Sequence, residues 1–257
     1  MAKEPTTIIA VERALNIIEL LHTENKEMGI TEIAAKLGEY QSTMYRIIST
    51  LESRGYVYQD PNTSKYSLGL KLFTIGVGIN HNNELIRTIR PYIVELAEEF
   101  GETVNVAVRD YSHRDGYYCA VIYQEKSNER VLGSTEALGG ITECFYSSLG
   151  NSLLAYAADF SKETILSAEL KKCTENSITN PSKFLEKIEK VREQGYAIDD
   201  QEVEKGLYCL SCPVLNSDGS ADIAISISGY IDNMKSNGIE KMILKLKSIT
   251  KQISRTI

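Results

Sequence analysis

The chain has 257 residues, 42% hydrophobic and 25% charged, the make-up of a globular protein with room for one large domain or two ordinary ones. No apolar run approaches the roughly 18–20 residues needed to cross a bilayer. The polar start, residues 1–7, lacks the apolar stretch of a secretion signal, so a cytoplasmic protein without a membrane partner is expected. The net charge of −7 argues against holding nucleic acid by bulk attraction.

Three short helices and a hairpin are predicted first. Val11, Leu15, Ile18 and Leu21 recur at helical spacing and mark helix one, with those residues inward. Residues 31–37 form a second helix around Ile33, Ala34 and Leu37, and residues 42–54 a third around Met44, Ile47, Ile48 and Leu51. Ser42 suits the N-cap of the third, and Gly55 its left-handed end. Strand formers on both sides of Asp60-Pro61-Asn62-Thr63-Ser64 predict a β-hairpin. Residues 68–81 are helical in pattern despite Gly76 and Gly78, and a polar patch then precedes an amphipathic helix over residues 84–100.

Beyond Gly101 the pattern is mixed. Strands are predicted over residues 103–108, 117–124, 130–134, 196–198, 207–215 and 221–229, and helices over 148–158, 162–171, 182–194 and 233–255. Strand pairs interrupted by helices predict an α+β domain on an antiparallel sheet. The resulting division is residues 1–68, a connecting helix at 69–83, and a second domain at 84–257.

Residues 30–49 fit a helix-turn-helix. Ala34 allows the two helices to cross closely, Gly38 makes the turn at positive φ, and Met44 and Ile47 pack the second helix back on the first. That leaves Gln41, Ser42, Thr43, Tyr45, Arg46 and Ser49 facing solvent, all able to bond base edges or phosphates. A helix pair alone fits any small helical subdomain. The hairpin that follows it, in the position of a wing, favours DNA binding. Arg46 and Lys65 are candidate phosphate contacts, although each also fits an ordinary solvated charge. The first 76 residues carry eight Lys and Arg against nine Asp and Glu, so binding would rest on local contacts and on dimerisation.

An enzyme is the main rival. The three histidines, His22, His81 and His113, lie in no nucleophile–base motif, and no G-x-S-x-G, P-loop or full G-x-G-x-x-G occurs. Cys209 and Cys212 sit three apart on a strand and so point to opposite faces, which disfavours a shared metal. An odd count of five cysteines argues for reduced thiols. No catalytic residue, metal or cofactor is expected. A sensor that has lost DNA binding is the other rival.

The sequence resembles the IclR family of bacterial transcription regulators over essentially its whole length. The N-terminal resemblance lies in Ala10-Val11-Glu12-Arg13-Ala14-Leu15, Thr31-Glu32-Ile33-Ala34, Ser42-Thr43-Met44-Tyr45-Arg46, Arg54-Gly55-Tyr56-Val57 and Tyr66-Ser67-Leu68-Gly69. The C-terminal one lies in Gly195-Tyr196-Ala197-Ile198-Asp199-Asp200, Gly206-Leu207-Tyr208-Cys209, Pro213-Val214 and Ala224-Ile225-Ser226-Ile227-Ser228-Gly229. The resemblance implies a winged helix-turn-helix, a linker helix that helps dimerise, and a GAF/profilin-like effector domain. It implies dimers or tetramers on palindromic operators in double-stranded DNA, with small organic acids or aromatic compounds as effectors. It also implies an effector pocket of Ser148, Leu149, Asp199, Cys209, Ser226 and Ser228.

The residues support part of that pocket. Ser226 and Ser228, two apart on a strand, share one face, while Ile225 and Ile227 share the other. Ser148 near a helix start would favour an anionic group. Equally, the serines fit bonding to nearby backbone, Asp199 a turn, and Cys209 a small buried hydrophobe. Where the family has His and Lys around this stretch, the chain has Phe145 and Asn151. This predicts an aromatic, less basic pocket mouth and a bulkier or aromatic ligand.

Overall fold

The computed structural model describes residues 7–81, 84–112, 116–126 and 138–257. The strand expected at residues 130–134 lies outside these. The chain divides into two compact units, Met1–Asn83 and Glu84–Ile257.

In the first unit, α1 (Ile9–Glu24), α2 (Ile30–Leu37) and α3 (Gln41–Ser53) precede a hairpin of β1 (Val57–Gln59) and β2 (Tyr66–Leu68), then α4 (Leu70–His81). Ile17, Leu21, Met28, Ile33, Ala34, Met44, Ile48, Val57 and Tyr66 make the core. Met28 exchanges backbone hydrogen bonds with Tyr66, at 3.0 and 2.8 Å, and so ties the α1–α2 loop to the hairpin. Gly38 ends α2 at φ 66°, as the turn requires. Two expectations are corrected. Val11 and Leu15 stay about half exposed, and Ile17 and Leu21 are the residues that α1 buries. The helix carries two adjacent apolar stripes, and spacing alone does not choose between them. Ser42 is not the N-cap: α3 starts at Gln41, because the Tyr40 carbonyl already accepts the Thr43 and Met44 N–H groups.

The second unit is a six-stranded antiparallel sheet ordered β5-β4-β3-β8-β7-β6 and covered on both faces. Its strands are β3 (Thr103–Asp110), β4 (Tyr118–Glu125), β5 (Ile141–Glu143), β6 (Ala197–Asp200), β7 (Leu207–Val214) and β8 (Ile223–Tyr230). On one face Val104, Val106, Leu210, Cys212, Ile225 and Ile227 meet α5 (Glu84–Phe100), α9 (Ile231–Asn237) and α10 (Ile239–Ile253). On the other, Ala107, Cys119, Val121, Ala197 and Ala224 meet α6 (Ser148–Ala155), α7 (Lys162–Leu166) and α8 (Pro181–Gln194). Three helices are shorter than periodicity predicts, α6 ending at Ala155 where 158 is expected. The final helix breaks at Gly238, φ 87°. Helix α7 stops at Leu166. Further along, Thr174, Asn176 and Ser177 bond the carbonyls of Asp200, Gln201 and Glu202, so side chains rather than a helical ladder hold that segment.

Helix α6 lies unusually close to the chain before it. A Cβ on Gly150 would come within 2.5 Å of Cys144 Cα and 2.6 Å of its carbonyl oxygen. Both are backbone atoms that cannot swing aside. Gly150→Ala is therefore expected to cost ~1–3 kcal/mol through overpacking. The loss should appear as a fall of about 2–4 °C per kcal/mol in the thermal midpoint, read by circular dichroism. An unchanged midpoint would mean that α6 is free to shift.

Candidate functional sites

On α3, Ser42, Tyr45, Arg46 and Ser49 follow the i, i+3, i+4, i+7 spacing of a single helix face. Ser42, Tyr45 and Arg46 are exposed and Ser49 half-buried. Gln41 is exposed too, but its amide donates to Thr31 Oγ1 at 3.1 Å, which ties the start of α3 to α2. Thr43 turns toward α1 and lines a groove of about 400 Å³ with Ala10, Arg13, Ala14, Arg46 and Thr50. Lys65 is exposed at the hairpin end. Tyr40, absent from the sequence-derived set, is 82% exposed at the start of the helix. Its bulk at a turn position was the available signal.

Charge pairing explains the near-neutral composition. Arg13 pairs with Glu39 at 2.5 Å, Lys36 with Glu24 at 2.7 Å and Lys26 with Glu32 at 2.8 Å. Among the described residues, Arg46, Arg54, Lys65 and Lys71 have no ion-pair partner. The acidic residues of this unit thus pair with cations that lie off the exposed α3 face and leave Arg46 without an ion pair, while Lys65 is near enough to Glu32 to feel its charge but not to contact it.

In the second unit, pairing of the strands gathers four predicted residues on the α6 side of the sheet. One cross-strand row runs Asp199, Cys209, Ser228, Thr103, and the next runs Ala197, Ser211, Ser226, Asn105, Gln124. Asn105 Nδ2 reaches both serine hydroxyls at 3.3 Å, and Gln124 Nε2 donates to Asn105 Oδ1 at 2.7 Å. Asp199 accepts the Glu202 N–H at 2.7 Å. Ser148 joins through its carbonyl, which accepts from Ser211 Oγ at 2.5 Å, while Ser152 donates to Ser211 at 2.7 Å. Leu149 instead packs into the apolar cluster beneath α6.

Asn105, Gln124 and Ser211 were missed by motif reasoning. A signal existed for Asn105, since Thr103, Asn105, Ala107 and Arg109 alternate with valines and mark a polar-inward parity. Farther along that face, buried Arg109 stacks between Tyr111 and Tyr117, 5.1 and 4.9 Å from the ring centres, with Nη2 3.3 Å from Asp159. Its Nε and Nη1 are buried without a hydrogen-bond partner among the described residues. The two ring faces offset part of that loss.

The model of the IclR helix-turn-helix domain matches residues 10–61, and that of the bacterial transcriptional regulator IclR C-terminal domain matches residues 78–255. The transcriptional regulator KdgR of Escherichia coli is 31% identical over 98% of this chain and 94% of its own. The chain belongs to the IclR family. As an IclR regulator it has a helix-turn-helix DNA-binding domain and a C-terminal effector-binding domain. The fold matches the IclR regulator structure from Alicyclobacillus acidocaldarius with TM-score 0.83 at 24% identity, over 97% of this chain and 99% of that one. It also matches an IclR homologue from Microbacterium hydrocarbonoxydans complexed with 4-hydroxybenzoate, with TM-score 0.79 at 17% identity, over 96% and 98%. No helix among the described residues is long and apolar enough to cross a membrane.

Two departures from the IclR pattern turn inward. Asn151 is buried, and its amide donates to the carbonyls of Cys144 and Phe145 at 2.9 and 3.3 Å. Phe145 packs edge-on against Phe184, ring centres 5.5 Å apart. Both side chains stabilise the approach of α6, so an aromatic pocket mouth made from them loses its support.

The C-x-x-C pair splits as the strand parity requires. Cys209 faces the polar rows and Cys212 the opposite apolar core, where burial pushes its thiol up to about 12. Only Cys173 among the free cysteines is exposed. Native protein should therefore show one fast thiol toward a disulfide reagent at pH 8, and Cys173→Ser none before denaturation. A second fast thiol in native protein would place another cysteine at the surface.

Proposed function

We propose that two copies of this regulator bind a palindromic operator in double-stranded DNA, in the cytoplasm, under control of a small organic acid or aromatic compound. Residues 1–68 read the DNA, residues 69–83 link and help dimerise, and residues 84–257 bind the effector and oligomerise. The observation that carries the reading is the exposed α3 face, where Arg46 stands without an acidic partner among the described residues. Gln41, Ser42, Tyr45, Arg46 and Ser49 would meet bases and phosphates in the major groove, with Thr43 at the α1 edge of that face, and Lys65 on the wing would meet the flanking backbone. Two such helices place half-site centres about 34 Å apart, or a multiple of it.

Dimerisation is supported by α4, where Leu70 is 83% and Phe73 70% exposed on a helix too apolar to stand alone in water. A second copy is the partner that would cover it. For the effector, the reading rests on Asp199, Cys209, Ser226 and Ser228 gathered on one sheet face beside Ser148 and Leu149 at the start of α6. Backbone N–H groups there favour an anionic group on the ligand. The 4-hydroxybenzoate held by the Microbacterium homologue is of the compound class proposed. Effector binding would shift the population between arrangements of the two DNA-binding domains, and it can do so only by binding one arrangement more tightly.

Arg46→Ala is expected to weaken binding to operator DNA by ~1–3 kcal/mol without changing the circular dichroism spectrum. Equal affinity at physiological salt would remove Arg46 from the interface. For the other site, a thermal-shift screen of small carboxylic and aromatic acids should find a stabilising compound. Ser228→Ala should weaken that compound about tenfold, the effect of one lost hydrogen bond, while operator binding of the free protein persists. An unaltered response would move the effector elsewhere.

A further inference from the structure

We infer that the Arg13–Glu39 ion pair is a positioning device, which sets the pitch of the DNA-reading helix α3 without itself touching DNA. Three observations converge on it. The buried side chains of α1 are Ile17 and Leu21, both in its C-terminal half. Toward the N-terminal end of α1, Ala10, Arg13 and Ala14 border the open groove between α1 and α3 instead of a packed core. Second, Glu39 occupies the turn between α2 and α3. Its N–H is spent on Ala34 O at 2.9 Å, so its backbone is fixed from the α2 side. Third, the N-cap of the reading helix, Tyr40, offers no side-chain cap, so only its carbonyl, which accepts the Thr43 and Met44 N–H groups, holds the first turn locally.

What ties that turn to the other helices is a pair of longer-range tethers. Gln41 Nε2 ties the first residue of α3 to Thr31 on α2, and Glu39 Oε1 takes Arg13 Nε at 2.5 Å from α1. Both partners of the ion pair are partly shielded, with side chains 34% and 21% exposed. The Nε–H bond adds direction to the charge attraction, so the link resists displacement of α1 against the turn. The groove, and Arg46 on its α3 wall, are then held at one width.

The charge bookkeeping gives the inference a sharp test. Glu39 is an acid beside a DNA-reading helix, so plain electrostatics predicts that removing its charge strengthens binding. A positioning role predicts the reverse.

The experiment is a double-mutant cycle on the full chain with Arg13→Gln, Glu39→Gln and both together. The probe is a duplex selected from random sequence by the unaltered protein, titrated over a salt series. Glu39→Gln and Arg13→Gln should each bind about five- to tenfold more weakly, with the double variant no weaker than either single one. The slope of affinity against salt should stay unchanged, and amide exchange at Thr43 and Met44 should quicken in the free protein. Three outcomes would overturn the inference. They are Glu39→Gln binding as tightly as the unaltered protein or more tightly, losses that add in the double variant, and Arg13→Gln flattening the salt slope by about one charge per half-site, the mark of a direct phosphate contact. If a single variant fails to fold, the exchanged pair Arg13→Glu with Glu39→Arg replaces it. Return of affinity toward the unaltered value supports the device, and a full loss in a folded protein rejects it.

Discussion

Covering both faces of one antiparallel sheet governs the C-terminal unit, because each strand must then serve two interiors at once. One parity of β3, β7 and β8 supplies Val104, Val106, Leu210, Cys212, Ile225 and Ile227 to a dry core under α5 and α10. The opposite parity places Asn105, Ser211, Ser226 and Ser228 in the interior beneath α6, where water is excluded. A buried polar group left unpaired costs about 1–3 kcal/mol, so these four must satisfy one another or the backbone. They do so with little redundancy. Asn105 uses its amide group on two serines, and Ser211 receives Ser152 while donating to the first carbonyl of α6. That last bond requires α6 to sit against the sheet. Gly150, where any Cβ would strike the Cys144 backbone, is how the sequence permits it.

The polar rows are also where the fold keeps unused bonding capacity. The Asn105 bonds to Ser226 and Ser228 are 3.3 Å long, beyond the usual 2.9–3.0 Å of an amide donor. Ser226 and Ser228 lie 3.5 Å apart, at the outer limit for a hydrogen bond. Both hydroxyls are thus held by longer bonds than their neighbours on the same face. Ser211, by contrast, is bound at 2.5 and 2.7 Å and reads as framework. The two serines therefore differ from Asp199 in the same region, whose carboxylate is held by the Glu202 N–H at 2.7 Å.

The chain showed its parity and its turns more openly than its packing partners. Strand alternation placed Ser226 and Ser228 on one face and split Cys209 from Cys212, because a period of two is a property of the backbone itself. The turn at Gly38 was legible for the same reason: its positive φ is local. Which stripe of α1 faces inward was not, since Val11, Leu15 and Ile18 are as apolar as Ile17 and Leu21, and the choice depends on where α3 lies. Asn105 escaped notice because its partners are Ser226 and Ser228, more than a hundred residues away. The roles of Asn151 and Phe145 were misjudged on similar grounds. Family position suggests a pocket mouth, whereas their bonds to Cys144 and Phe184 are visible only once α6 is docked.

The same distinction between composition and placement applies to the DNA-binding unit. A near-neutral domain gains little from the general attraction that holds basic proteins to any duplex, and that attraction is the part of affinity carrying no sequence information. Here Glu24, Glu32 and Glu39 neutralise Lys26, Lys36 and Arg13, and none of those cations lies on the exposed α3 face. The arrangement leaves Arg46 without an ion-pair partner among the described residues. Because the ratio of specific to non-specific affinity decides occupancy among many competing sites, removing the background serves selection as directly as adding a base contact would. Near-neutral charge, which at first argued against a DNA-binding role, is then consistent with a reader that depends on the exact placement of few contacts. Such a reader needs its recognition helix held firmly, and a domain whose acids tie helix to turn supplies that restraint with the same residues that remove the background.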